Sequence, residues 1–160
     1  MPTLPSVNAP APDDAASSID DDGPRSVSSA EVEVRAATPS EDEAMEAFVR
    51  AHPGGSLFQR PSWRRAVSST FGHEPRDLVA LRQGELVGVL PLMRCRGLLG
   101  NSHLVSTPYG VLGGPLAVAP SVEATLVAKA LDLARSERVG RLELRSAAPL
   151  ELDGLQTSDR

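Results

Sequence analysis

The stretch from Asp77 to Pro115 constrains the chain most. Leu78-Val79-Ala80-Leu81 is a short apolar run, Arg82-Gln83-Gly84-Glu85 follows it, and Leu86 to Met93 is a second β-rich run. Two such runs joined by a short glycine-containing turn predict an antiparallel hairpin. A third run, His103-Leu104-Val105-Ser106, follows Gly97 and Gly100 and ends in Thr107-Pro108-Tyr109-Gly110, with Gly113-Gly114-Pro115 beyond. Glycine permits positive φ and close backbone approach, and proline fixes φ, so this density predicts a shaped loop. Tyr109 stands in that loop, and loops carried on a rigid core are where binding and catalytic residues concentrate.

The flanking sequence predicts what packs on this hairpin. Val32 and Val34 alternate with Glu31, Glu33 and Arg35, as in a strand with one buried face. Thr38-Pro39-Ser40-Glu41 then has the form of a helix start, with proline at the first helical position and Glu41 placed to complete a capping box. Ala44, Met45, Phe48 and Val49 fall on one face of that helix, and His52-Pro53-Gly54-Gly55 stops it. A second helix starts near Pro61-Ser62, carries Trp63, Ala66, Val67 and Phe71 on one side, and has Gly72 at its C′ position. A long helix runs from Ala119-Pro120-Ser121 to about Arg138, with Val122, Leu126, Ala130 and Leu133 as its stripe. Gly140 ends it, and Arg141 to Arg145 alternates as a strand; Leu150 to Gly154 reads as a last short one. The order is β-α-α-β-β-β-α-β, an α+β arrangement in which helices flank a mixed β-sheet. The final β-α-β, from His103 to Arg145, should be a right-handed crossover if its strands are parallel neighbours.

Composition bounds the partners. Residues 1–30 hold five Pro, six Ser, five Asp, one Arg and no aromatic, too little apolar surface to offset the entropy of ordering, so a disordered tail is predicted. With five of the 21 acids and one of the 16 bases in that tail, residues 31–160 hold 16 acids against 15 bases. A near-neutral domain with five aromatics gives no electrostatic case for DNA binding. The tail has neither the basic start nor the apolar core of a signal peptide, and the longest apolar run, Leu86 to Met93, is far too short to span a bilayer. A single cysteine excludes an intrachain disulfide. These features together predict a cytoplasmic protein.

One family resemblance runs through these pieces. The succession of Trp63, Phe71-Gly72-His73, Leu78-Val79-Ala80, Gly88-Val89-Leu90-Pro91-Leu92, Gly100-Asn101, Val105-Ser106-Thr107-Pro108-Tyr109, Gly113-Gly114 and Leu142-Glu143-Leu144-Arg145 resembles the N-terminal half of FemAB-type proteins. The most similar group is the one associated with exopolysaccharide and exosortase clusters, and the resemblance covers roughly residues 31–150. It implies a GNAT-like (acyl-CoA N-acyltransferase) fold, from the GCN5-related N-acetyltransferase superfamily. It also implies acyl or aminoacyl transfer to an amine of a cell-envelope precursor or polysaccharide-linked substrate, with acyl-CoA or aminoacyl-tRNA as donor. Members usually carry two such domains in tandem. Residues 31–160 are therefore expected to be the first of two, with the second missing and a self-associating or second-domain surface left open. A non-catalytic binding module and an inactive remnant are the alternatives. The superfamily's pyrophosphate signature is absent before the long helix, where Gly113-Gly114-Pro115-Leu116-Ala117 stands instead.

The candidate residues each have a plainer reading. Tyr109 is the catalytic candidate, since its hydroxyl can orient a carbonyl or protonate a leaving group; otherwise its ring caps the sheet end. Gly113 and Gly114, with Gly110, can turn backbone N–H groups toward a phosphate or carbonyl oxygen, or simply serve a turn needing positive φ. Arg60, Arg64 and Arg65 flank Trp63, and arginine holds diphosphates and carboxylates bidentately; this helix is either an edge of the acceptor site or a solvated face with Trp63 in the core. His73 can act as a base or as a cation at a helix C-terminus. Cys95, between Arg94 and Arg96, would have a lowered thiol pKa if exposed. His52 and His103 have no carboxylate or cysteine at ligand spacing, so no metal site is predicted.

Overall fold

The computed structural model describes residues 31–97 and 100–146; the predicted tail at 1–30 and the predicted strand at 150–154 lie outside them. β1 (Val32–Ala36) leads through a single 3-10 turn, Pro39–Glu41, into α1 (Asp42–Ala51). The capping box forms: the Glu41 carboxylate accepts from the Thr38 N–H at 2.7 Å and is held by both Arg35 terminal nitrogens at 2.8 and 3.0 Å. A second 3-10 turn, Leu57–Gln59, precedes α2 (Pro61–Phe71). Gly72 closes α2 at φ +68°, its N–H returning to the Ser68 carbonyl at 2.9 Å, the C′ role expected of it.

The hairpin is β3 (Leu78–Arg82) against β4 (Glu85–Leu90). Gln83 at φ +53° and Gly84 at φ +83° give the paired positive dihedrals that match the twist of a two-residue hairpin. The second run is not one strand to Met93, however. Pro91 cannot donate to a ladder, and pairing restarts only at β5 (Met93–Arg96). Two further strands of two residues appear: β2 (Glu74–Pro75), just ahead of β3, and β7 (Leu116–Ala117), beyond β6 (Ser102–Val105). α3 (Pro120–Ser136) and β8 (Leu142–Glu143) complete the order. α3 ends with Arg138 at φ +51° rather than at Gly140, and β8 is shorter than the alternation of 141–145 predicts.

The single mixed sheet of the sequence reading is thus two four-stranded sheets. One, β1-β3-β4-β7, is antiparallel throughout. The other, β2-β5-β6-β8, is antiparallel except for β6 and β8, which are parallel neighbours joined through α3. Three strand lines cross from one sheet to the other, by way of Arg76-Asp77, Pro91-Leu92 and the loop 106–115. The crease is bridged by the Arg76 N–H on the Leu92 carbonyl at 2.7 Å.

Each face carries its own helix. Leu78, Ala80, Leu90 and Leu92 pack against Val122, Leu126 and Ala130 of α3, while Val79, Val89 and Leu116 pack against Met45 and Val49 of α1. Val67 of α2 meets Met93, Cys95 and Val105 of the second sheet, with Trp63 packed alongside. Phe71, predicted on the buried side of α2, is 52% exposed: it is the helix's last residue, beyond the rim of that core.

Two predictions follow from this packing. A Cβ on Gly88 would stand 3.0–3.1 Å from Ala117, Leu126 and Val122, so Gly88→Val should cost about 1–3 kcal/mol in urea unfolding, the usual range for overpacking. Hydrogen bonding to Arg35, with the Thr38 contacts adding, pulls the Glu41 carboxyl down from 4.5 to about 2. A depressed carboxyl stabilises the fold above its unfolded value, and that contribution is lost as pH falls from about 4.5 toward 2. Glu41→Gln should flatten this part of the stability–pH curve and lower stability only modestly at neutral pH, because solvent screens the half-exposed Arg35.

Candidate functional site

A cleft of about 390 Å³ opens on the second sheet, on the α2 side but beyond α2's cover. Register builds its floor. Cys95 of β5 pairs with His103 of β6, and Val105 pairs with Glu143 of β8, so these four share a face, with Arg145 two residues further along. The loop 106–115 forms one wall. It is held by the Ser106 N–H on the Glu143 carbonyl (2.9 Å), the Arg145 N–H on the Ser106 hydroxyl (2.9 Å) and the Arg145 Nη1 on the Gly110 carbonyl (2.6 Å). Arg145 is oriented in turn by Glu143, whose Oε1 accepts from its Nε at 2.9 Å.

Tyr109 projects from this wall with φ +63°, a left-handed backbone uncommon for a bulky residue. Its ring stacks on Phe71 (centroids 4.3 Å apart) and lies nearly parallel to His73, and its hydroxyl is 3.2 Å from His73 Nε2. Two predicted site residues, 36 apart in the chain, therefore meet in one hydrogen bond at the cleft mouth. The pair is open to solvent, with Tyr109 57% exposed. His73 follows Gly72 rather than ending α2, and its carbonyl accepts from the Ser68 hydroxyl.

The other predicted site residues are engaged elsewhere. Arg64 reaches Asp77 and Asp42 in the interior, while Arg65, at the surface, pairs with Asp42 at 2.7 Å. Arg60 Nε stands 3.9 Å from Glu46. Trp63 packs in the core, edge-on to Phe58 at 5.1 Å, so the plainer reading of this helix holds for it. Gly113 and Gly114 both give their N–H to the Arg145 carbonyl, at 2.8 and 2.9 Å, and so present none to a phosphate. Close approach, not positive φ, explains these two glycines: a Cβ would stand 2.1 Å from Thr107 Cγ2 at Gly113 and 2.9 Å from Ser146 Cα at Gly114. The start of α3 offers no better cradle for a diphosphate. Pro120 lacks an N–H, the next two amides after Ser121 turn back to Ala119, and Glu123 puts negative charge in the first turn. Residues 113–123 thus offer no backbone cradle for the diphosphate of a coenzyme A.

Cys95 does not meet the condition for a lowered thiol pKa. It is buried, and burial pushes its thiol up, with Arg145 opposing; Arg94 and Arg96 are drawn off to Glu137 and Glu74. Among the described residues no three His, Cys, Asp or Glu side chains gather as a metal site, and no helix is long and apolar enough to cross a membrane. A larger cleft of about 610 Å³ lies between α2 and the end of β1; its Arg64 and Arg76 are paired with Asp42, Asp77, Glu74 and Glu137, and its Arg65 with Asp42. Phe71, His103, Glu143 and Arg145, which line or adjoin this cleft, were not singled out for it from the sequence; of these, His103 stands three places ahead of Ser106, where the Gly-rich loop begins.

No protein-family model matches the sequence, and no curated protein matches it. Solved structures do. FemX is 23% identical over 67% of this chain, with a TM-score of 0.52, and this chain spans a quarter of FemX's length. A GNAT family acetyltransferase from Staphylococcus aureus is 9% identical, covering 81% of this chain and 96% of its own, with a TM-score of 0.54. A GNAT family acetyltransferase from Brucella melitensis, solved in complex with acetyl-CoA, is 14% identical over 71% of this chain and 75% of its own, with a TM-score of 0.52. The fold is that of the GNAT acetyltransferases.

The reassignment of Arg64 is testable. Burial pushes the Asp77 carboxyl up, and Arg64 and the Leu92 N–H oppose this by holding the charged form. Arg64→Ala should cost about 3–5 kcal/mol in chemical denaturation, as expected when a buried charge loses its partner. Arg65→Ala, at an exposed position, should cost about 1 kcal/mol or less.

Proposed function

We propose that this chain supplies the acceptor side of an acyl or aminoacyl transfer to an amine, as one half of a FemAB-like enzyme. The observation that carries the reading is the His73–Tyr109 contact at the mouth of a cleft, on a GNAT fold that aligns with a quarter of FemX. In such a transfer the amine attacks a thioester or ester carbonyl. Tyr109 Oη takes the proton leaving the amine while its own passes to His73 Nε2; the return of these protons serves the leaving group. No covalent intermediate is needed, and positioning supplies much of the rate. Arg145 and His103 line the cleft for a carboxylate or phosphate of the acceptor.

Two features support a partner half. Tyr109 and Phe71 are exposed, whereas proton transfer gains from exclusion of water. Val111 and Leu112 of the same loop are exposed too, as is Leu57 of the connector that the loop meets through the Ser56 hydroxyl on the Leu112 carbonyl. The acyl donor, for which residues 113–123 offer no cradle, is carried by that other half in this reading. The same exposure also suits a binding module that holds the acceptor without acting on it; turnover with the partner half present separates the two.

Calorimetric titration with a UDP-linked peptidoglycan precursor tests the acceptor assignment. Binding is expected, and His73→Ala or Tyr109→Ala should weaken it about tenfold, the value of one to two hydrogen bonds. Acetyl-CoA should not bind. Precursor affinity unchanged by both substitutions would sink the assignment, as would no binding by the folded wild type.

A further inference from the structure

Gln59 lies in the connector between α1 and α2, a place where glutamine is usually solvated, yet it is 5% exposed. Both ends of its amide are used. Oε1 accepts from the Ser56 N–H at 2.9 Å, and Nε2 donates to the Gly114 carbonyl at 3.1 Å, 55 residues away. The partners fix which end is which, since an N–H needs the oxygen and a carbonyl needs the NH₂.

Gly114 is thereby pinned from two sides. Its carbonyl is held by Gln59, and its N–H, with that of Gly113, is held by the Arg145 carbonyl. The rest of the connector grips the same loop. The Ser56 hydroxyl donates to the Leu112 carbonyl at 3.2 Å, and the Phe58 ring lies so close to Gly110 that a Cβ there would be 2.9 Å from it. His52 accepts from the Gly54 N–H on Nδ1, so its Nε2 carries the proton toward the Ala117 carbonyl at 3.0 Å. Tyr109 sits next to Gly110 in a left-handed backbone that a bulky residue does not choose by itself. Its surroundings must impose that conformation, and the connector is one of the two surfaces that do so.

We infer that Gln59 is a positioning residue for the His73–Tyr109 site, acting through the Gly114 carbonyl. The inference rests on the functional reading of that site, but its test needs no ligand and no activity. Gln59→Glu retains the acceptor for Ser56 and loses the donor to Gly114, whereas Gln59→Met loses both. The readouts are the proton resonances of the Tyr109 ring, displaced by the stacked Phe71 ring, and the imidazole resonances of His73.

Both variants should lose the ring displacement of Tyr109 and shift His73. Lowering the pH until the introduced carboxyl of Gln59→Glu is protonated restores a donor and should return the Tyr109 displacement. Leu126→Ala, a truncation in α3 within a core cluster that holds no residue of the loop, lowers thermal stability and should leave both sets of resonances in place. If Gln59→Met does not fold, Gln59→Glu and its pH reversal carry the test. Tyr109 and His73 resonances unchanged in Gln59→Glu would overturn the inference and reduce Gln59 to a cap on its own turn. A failed precursor titration with these shifts observed would sink the functional reading while leaving the positioning role intact.

Discussion

One carboxylate holds the crease of this fold. Asp77 is buried between β2 and β3, its Oδ1 taking the Leu92 N–H at 3.0 Å and its Oδ2 taking Arg64 of α2. Leu92 stands where β4 gives way to β5, directly after a proline that has no N–H to offer a neighbouring strand. A break in a ladder leaves backbone groups without partners, and in a core such groups must find others. The Asp77 side chain supplies one and the Arg76 N–H, on the Leu92 carbonyl, supplies the second. Arg64 neutralises the charge this requires and, through Asp42, ties α2 to the start of α1. An ion pair taken out of water seldom adds much net stability. What this one contributes is geometry: the two sheets can part at Leu92 without orphaning its backbone N–H and carbonyl.

The site depends on that parting. The third strand line crosses the crease as the loop 106–115, and Tyr109 occupies that loop. The loop is not loose, because Arg145 holds it from the second sheet and the connector at 52–59 holds it from the first. The glycines are what let it lie so close to both. Gly113 against Thr107 and Gly114 against Ser146 have no room for a Cβ, so the loop packs into the crease instead of arching over it. The same packing engages the two amides that a phosphate would need. Closing the loop down and binding a diphosphate on it are competing uses of one pair of N–H groups, and this chain uses them for closure.

What was legible in the sequence was local. The Thr38–Glu41 capping box, the Gln83-Gly84 turn and the Gly72 helix stop each depend on residues within about four positions of one another, and the α3 stripe repeats one local period. The misses came from contacts distant in sequence. The strands Glu74–Pro75 and Leu116–Ala117 have no periodicity of their own and exist because a neighbour pairs with them. Arg64 has its two carboxylates at 13 and 22 residues' distance, which no spacing rule connects, so its guanidinium looked free for a ligand. The break at Pro91 was readable in principle, since proline is confined to edges and bulges, but the apolar run across it dominated. Of the site, Tyr109 and His73 stood out as residue types in suitable places. Their hydrogen bond, and the roles of Glu143 and Arg145, required the fold.

The electrostatics of that pair set the terms on which it can act. In water a tyrosine hydroxyl and a neutral imidazole exchange protons with solvent as readily as with each other, and the field of a neighbouring guanidinium is heavily screened. At 57% exposure Tyr109 is in that regime, although its backbone is already held in the left-handed region and its ring already rests on Phe71. Position has been established ahead of environment. Any body that covers Phe71, Tyr109, Val111 and Leu112 would lower the local dielectric without moving these atoms. It would strengthen the influence of Arg145 and leave the cleft floor as the way in for a substrate. The exposed apolar residues beside the pair and the rigid hold on the loop are therefore complementary: the geometry of the His73–Tyr109 contact is fixed within this chain, and in the proposed reading its dry surroundings come with the other half.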